Sequence, residues 1–465
     1  MAAISRCHLH AINVRKNRRQ MKLTFPLTNS LWHCLIFIFG FSFSTTSIGQ
    51  SNDALSLPEP LTLESLMSLP MTISPQVQLQ QAKQNQAVAL LEQQQSIDAF
   101  ELNVIGRLGW REFANETQNN HQLALHLGKQ LYDFGRQTAL THAQQHLANA
   151  EDQSGLRQQH YYQLQLMQAF FNVILADYQY RVQNEAMAVA YVTLDKAKDR
   201  HALQQISDVS YLKLQNDYEK ILLLRSKAEY EQRRTRSFLA NLVGQPQQLS
   251  DKLVFPKLDA YTDRVLPSLE TLQQQILSNS LQLKALKLQL QAALSQLQGE
   301  EVANYPVFRL DAWGGQLSSY EKRYEGNWRV DLSMQMPLVD GGLKSASVAN
   351  QKAKVNQIQA EIAAMEQALR DEAATLFFDL KLAKAERKQV QLQADYADLY
   401  LDFSRALYEN ESQTDLGDSM VQLSESNYQI IAQQFKQVLA WAQLDFLSGQ
   451  PPFNVHQAQM NHHEE

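Results

Sequence analysis

The sequence predicts a mainly α protein, internally duplicated, whose long antiparallel helices of coiled-coil type continue into membrane-compatible β-strands, four per chain. Three observations lead there. First, landmarks recur at one period. LYDFG at Leu131–Gly135 is answered by LVDGG at Leu338–Gly342, LESL at Leu63–Leu66 by LETL at Leu269–Leu272, and VGQP ending at Pro246 by SGQP ending at Pro451. The offsets are 207, 206 and 205 residues, and one period shared by three unrelated strings marks a repeat. Second, Gly and Pro are sparse, 16 and 12 of 465 residues, while Leu and Gln fill long stretches, which favours helices over loops. Third, one segment, WRVDLSMQMPL, alternates with period two.

The N-terminus predicts an export signal over residues 1–49. Six basic residues precede any acidic one, an apolar run spans Leu31–Phe43, and Ser47 and Gly49 stand at −3 and −1 of a cleavage site. Translation starting at Met21 is an alternative. Both cysteines, Cys7 and Cys34, lie in this segment, so the mature chain would hold no disulfide, no Cys nucleophile and no thiolate metal site. Loss of six positive and no negative charges takes the formal charge from −6 to −12, which argues against a nucleic-acid partner. Beyond the signal no apolar run reaches the roughly 20 residues of a membrane helix.

A linker (50–60) leads to the first repeat, 61–246. It predicts a helix over 61–98 with breaks at Pro70 and Pro75, then strands at 101–110 and 122–131 joined by a polar stretch, Arg111–Asn120. A long helix runs Arg136–Arg200. After a break at 204–207 a further helix runs from Asp208 to Leu242, stopped by Gly244 and Pro246. An inter-repeat linker (247–267) precedes the second repeat, 268–451. Its first helix, 268–298, carries Leu283, Leu286, Leu290, Leu294 and Leu297 at coiled-coil spacing. Strands follow at 307–316 and 328–338, then a helix over 343–408, a break at 409–413 and a last helix to Ser448. The tail, 452–465, is polar; His462 and His463 in it read as frayed chain rather than a metal site.

In 328–338, Trp328, Val330, Leu332, Met334, Met336 and Leu338 fall on one face, and Arg329, Asp331, Ser333 and Gln335 on the other. Strands of about ten residues with that alternation fit an outer-membrane barrel; an amphipathic sheet in a soluble domain is the competing account. Lys129 interrupts the apolar face of 123–131. Four strands cannot close a barrel, and an open edge cannot sit in lipid. Strands that enter the membrane therefore require an oligomer, about 8 strands from a dimer or about 12 from a trimer.

Over residues 61–451 the chain resembles the TolC family of outer-membrane efflux channels. The likeness rests on LTLESLMSLPMTISPQVQLQQA, on a strand pair followed by LYDFG or LVDGG in each half, and on the segments ISDVSYLKLQ and QTDLGDSMVQL. The resemblance implies a homotrimer with one barrel in outer-membrane lipid and a helical tunnel in the periplasm. It implies a periplasmic adaptor (membrane fusion) protein and an inner-membrane pump of RND, ABC or MFS type as partners. The cargo route would be tripartite efflux or type I secretion. Pro306, Pro337, Asp133, Gly135, Asp340 and Gly342 would form the joints between barrel and tunnel, the aspartates capping helix starts. Asp415 and Asp418 match the family's Asp-x-x-Asp at the periplasmic mouth, where three chains would set a ring of carboxylates that attracts cations. Capping competes with that role: Asp415 matches Asp208, a helix start in the first half, whereas Asp418 matches Tyr211. The turn before this segment, YENESQ, lacks the family's glycine and basic latch and holds Glu409 and Glu411 instead. Trp110, Trp313, Tyr320, Tyr324 and Trp328 lie at strand ends, as membrane-interface aromatics do; ordinary core or rim positions remain open for them.

No P-loop, HExxH or GxSxG occurs, so neither an enzyme nor a cofactor or metal site is expected. The alternative to a channel is a soluble periplasmic coiled-coil scaffold or adaptor.

Overall fold

The structure, a computed structural model, describes residues 59–113, 116–119, 121–245, 252–258, 261, 264–317, 326–409 and 416–452. The expected signal segment, Pro246, Tyr320, Tyr324, Glu411, Asp415 and the tail after residue 452 lie outside the described residues.

The first half opens in three short pieces rather than one helix. Helix α1 (Leu63–Met67) begins with a capping box in which Ser65 N–H donates to Thr62 Oγ1 at 3.1 Å and Thr62 N–H donates to Ser65 Oγ at 3.2 Å. A 3₁₀ turn (Met71–Ile73) and helix α2 (Pro75–Ser96) follow. Pro70 and Pro75 bring no N–H, so each suits the start of a segment and not its middle. Strands β1 (Glu101–Arg107), β2 (Trp110–Phe113), β3 (Glu116–Asn119) and β4 (Gln122–Tyr132) come next. The stretch expected to be a polar connection is therefore itself a hairpin, β2 pairing β3 from Trp110 opposite Asn119 to Phe113 opposite Glu116. Helices α3 (Arg136–Ala202) and α4 (Asp208–Leu242) complete this half.

The second half contains α5 (Leu269–Asn279), α6 (Leu281–Glu301), β5 (Val307–Gln316), β6 (Trp328–Gln335), α7 (Leu343–Glu409) and α8 (Leu416–Leu447). Its first helix, expected to be continuous, breaks at Ser280. Strand β6 stops three residues short of the expected end, just before Met336 and Pro337.

The two halves meet in one antiparallel sheet of order β1-β4-β5-β6. Its central pair crosses the halves, with Leu125 opposite Gly314 and Lys129 opposite Leu310. Helices α3 and α7 have 67 residues each, roughly 100 Å at 1.5 Å per residue. Helix α3 packs on α2, α4, α6 and α8, and α7 packs on α5, α6 and α8. Alanines 143, 148, 150, 169 and 176 are buried along α3 and let neighbouring backbones approach.

Three apolar clusters hold the helices among the described residues, the smallest of them Ala293, Val355 and Ile358. One joins Leu61, Leu63 and Leu66 to Phe170, Phe171, Leu239, Val243 and Phe435, with Phe171 and Phe435 stacked 4.0 Å apart at 8°. A second joins Leu272, Ile276 and Leu283 to Leu376, Phe377, Trp441 and Leu444. Beside it, Arg264 forks onto Asp445 through two bonds of 2.8 Å and lies 4.4 Å over the Trp441 ring.

The repeated Gly-Gln stops have matching geometry. Gln245 N–H reaches Ala240 O and Gln450 N–H reaches Asp445 O, both at 2.8 Å, closing each helix with a left-handed glycine, Gly244 at φ 72° and Gly449 at φ 73°. A Cβ on Gly244 would meet Ile73 at 2.8 Å, and one on Gly449 would meet the Asn279 carbonyl at 2.6 Å. Each stop thus lodges against the break that precedes a long first helix.

Phe435 fills the largest core and is 1% exposed. Phe435→Ala is expected to cost about 3–5 kcal/mol, read as a lower denaturant midpoint of helical circular dichroism; an unchanged midpoint would place the core elsewhere.

Candidate functional site

The sheet has two unlike faces, and the register assigns each side chain. Leu102 and Val104 of β1 stand opposite Leu127 and Leu125 of β4; Ala312 and Leu310 of β5 stand opposite Val330 and Leu332 of β6, and Phe308 opposite Met334. The pairings β4 to β5 put Leu127 beside Ala312, so all these side chains share one face. Leu102, Val104, Leu123, Leu125, Leu127, Val330, Leu332 and Met334 are exposed on it; the least exposed, Leu127, still shows 39% of its surface. Burying such a side chain is worth about 1.5–3 kcal/mol. Eight left in water would forgo roughly 10–20 kcal/mol, as much as the whole stability of a typical domain. A face of that size is made to be covered by something apolar.

The opposite face is polar and cross-linked. His126 Nε2 lies 2.9 Å from Asp311 Oδ1, Arg309 bridges Asp311 at 3.0 Å and Glu101 at 3.1 Å, and Arg329 pairs with Asp331 at 3.0 Å. Trp313 stacks on His126 at 4.8 Å and carries Arg329 at 3.8 Å over its ring. Pairs like these, in reach of water, contribute little stability. Their consequence is a wettable surface with carboxylates and guanidiniums interleaved.

The register sets the faces of two of the expected aromatics. Trp313 pairs with His126 and Arg329 and lies on the polar face. Trp328 stands on the apolar face opposite Gly314 and is 75% exposed. Trp110 is exposed at the same end of the sheet, edge-on to His121 at 5.1 Å.

At the other end the strands pass into helices. Asp133 accepts from Gly135 N–H at 3.1 Å and Gln137 N–H at 2.7 Å, and Asp340 accepts from Gly342 N–H and Lys344 N–H, both at 2.9 Å. Carboxylates there satisfy donors that the first helical turn leaves free. Gly135 and Gly342 are left-handed, at φ 83° and 89°. Pro306 immediately precedes β5, and Pro337 lies between β6 and α7. The Asn304 side-chain amide, then the Lys344 and Gly342 N–H groups, pull the Asp340 carboxyl down to about 2.

At the far ends of the long helices, Ser207 rather than Asp208 caps α4, its hydroxyl accepting from Ser210 N–H at 3.2 Å. Asp208 sits one residue inside the helix and bonds His201 at 2.7 Å. Capping by Asp208 is therefore not what the first half shows. Asp418 is exposed in the first turn of α8 and accepts from Gln422 Nε2 at 2.8 Å. It lines a cleft of about 350 Å³ with Val189, Leu214, Asp217, Tyr218 and Val421. The preceding Gly417 allows this placement, since a Cβ there would meet Val189 at 2.8 Å. Asp217, which sequence reasoning did not single out, brings a second carboxylate to the same cleft. Its signal was weak, one acidic residue on a charged helix.

Residues 272–450 match the family model described as outer membrane efflux protein. The matched stretch runs from α5 to the stop at Gln450. No curated protein matches the chain. Among solved structures, the outer membrane protein VceC of Vibrio cholerae matches with a TM-score of 0.68 at 15% identity, over 84% of this chain and 97% of that one. The outer membrane channel CmeC of Campylobacter jejuni matches with 0.69 at 11%, over 86% and 88%. The open state of the MtrE channel of Neisseria gonorrhoeae matches with 0.65 at 15%, over 84% and 89%. The fold these solved channels share with the chain thus extends beyond residues 272–450.

The cap at Asp340 makes the joint acid-sensitive. A carboxyl whose pKa is lower folded than unfolded adds stability above its unfolded value and loses it as pH falls through its folded value. The melting temperatures of the native chain and Asp340→Ala should differ by a constant amount above about pH 4 and converge as pH falls to about 2. A gap unchanged at low pH would exclude the carboxylate as the cap.

Proposed function

We propose that the chain is one subunit of a homotrimeric exit duct in the outer membrane, its helices lying in the periplasm, through which cargo passes passively from an inner-membrane pump. The observation that carries this reading is the sheet, apolar and uncovered on one face, charged on the other, and unpaired at both edges, β1 and β6. In lipid an unpaired strand edge is costly, and only closure removes it. Four strands from each of three chains would make a 12-stranded barrel with the apolar face outward and the face of His126, Asp311 and Arg329 inward. A soluble scaffold or adaptor would leave the apolar face in water. The matching order of elements in the two halves supports the duplication, each chain supplying two staves. Partners of this duct would be a periplasmic adaptor and a pump.

In the same reading, Asp418 and Asp415 narrow the periplasmic mouth. The exposure of Asp418 at the start of α8, beside Asp217 in one cleft, supports a negative aperture that attracts cations.

Membrane fractionation of the expressed chain should recover it in the outer membrane as a trimer; a soluble monomer would refute the duct. In planar bilayers, replacing Asp415 and Asp418 together with Ala should weaken block by multivalent cations severalfold. Block of native strength in the double variant would remove both residues from the aperture.

A further inference from the structure

The helix-side end of the apolar face carries a group of residues that the channel reading does not use. Lys129 is the one charged side chain that β4 places on that face, opposite Leu310. Between Gln130 and Tyr132 the β4–β5 register shifts, so Tyr132 stands opposite Phe308, two residues along β5 from Leu310. That bulge keeps Tyr132 on the apolar face directly beside Lys129, where strict alternation would send it to the polar one. Tyr132 then contacts Phe134 at 4.8 Å, Phe134 meets Tyr305 edge-on at 5.3 Å, and Lys344 Nζ lies 5.5 Å from the Tyr305 ring centre. Lys129 Nζ lies 4.3 Å over Phe100. Neither ammonium is ion-paired among the described residues.

The backbone points to the same place. Phe134 holds φ 58°, where the second half has Gly341 at φ 63°. A bulky residue in the left-handed region is strained, and such strain persists where the side chain has a use. The ring of Phe134 joins Tyr132 to Tyr305, and a glycine could not. Aromatic rings with apolar bodies and polar tips, flanked by lysines, suit the level where acyl chains give way to headgroups.

We propose that Lys129 and Lys344, at the two ends of the Tyr132–Phe134–Tyr305 aromatic row, each bind the phosphate of an anionic phospholipid in the periplasm-facing leaflet. This rests on the outer-membrane reading above. Each cation complements a lipid whose tails lie along the apolar face and whose phosphate lies at the helix junction. Lys129 and Tyr132 lie on the central strand β4, and Phe134, Tyr305 and Lys344 lie where the strands pass into helices.

Native mass spectrometry of the full chain in detergent, with phosphatidylglycerol and phosphatidylcholine of equal acyl chains, tests this. The native protein should retain phosphatidylglycerol in preference, by about five-fold for each lysine. The preference should vanish in Lys129→Gln/Lys344→Gln and weaken in Phe134→Gly, which keeps both lysines and relieves the backbone. Equal retention of the two lipids by the native trimer, or an undiminished preference in the double variant, overturns the site. Displacement of the lipid by millimolar inorganic phosphate would mark a general anion site and overturn it too. A trimer in membranes without lipid preference refutes this inference alone, whereas a soluble monomer refutes the duct with it.

Discussion

In the proposed duct everything is arranged around a sheet that one chain does not finish. Its apolar face would meet lipid, its polar face water, and its two edge strands further copies. Water satisfies the edges of an ordinary sheet, but hydrocarbon does not. Once the face with Leu102, Leu125, Val330 and Leu332 is covered, the edges β1 and β6 must meet further copies. The central pair β4–β5 is the part a single chain completes, and it welds the two halves into one wall.

The helices answer to that wall. Asp133 and Asp340 start α3 and α7 at matching places, and two consecutive left-handed residues turn the chain before each, Phe134-Gly135 and Gly341-Gly342. The 67-residue helices then run alongside shorter ones whose ends are pinned by Gly244 and Gly449. The halves depart from each other where a side chain has separate work. Phe134 stands where the second half has Gly341, and Asp418 stands where the first half has Tyr211.

Much of this was legible in the sequence, because the long helices lack Pro and hold a single Gly, Gly155, while the stops carry both. Strand β5 was readable to its last residue, and both long helices to within two. The hairpin β2–β3 was hidden by its polarity, since solvated strands carry no apolar period. The break at Ser280 was hidden for the opposite reason: the leucines on either side keep one helical spacing, and only the approach of Gly449 to Asn279 shows why the chain bends away. The face of Trp313 was unreadable because an aromatic at a strand end shows its side only once the register is set. Tyr132 was unreadable as a boundary residue, since a single bulge moves it across the sheet. The network of His126, Asp311 and Arg309 joins residues up to 208 apart in sequence, a proximity that no local pattern carries.

The central claim is that β1 of one chain pairs with β6 of the next. Cysteine cross-linking measures it directly in a chain whose two native cysteines, Cys7 and Cys34, are replaced by Ser. Asn103→Cys combined in turn with Arg329→Cys, Asp331→Cys and Ser333→Cys places thiols on the polar faces of the two edges. The account predicts that at least one combination gives dimer and trimer bands under oxidising conditions, with nothing larger. Monomer alone from every combination, or a ladder that continues past the trimer, would contradict it.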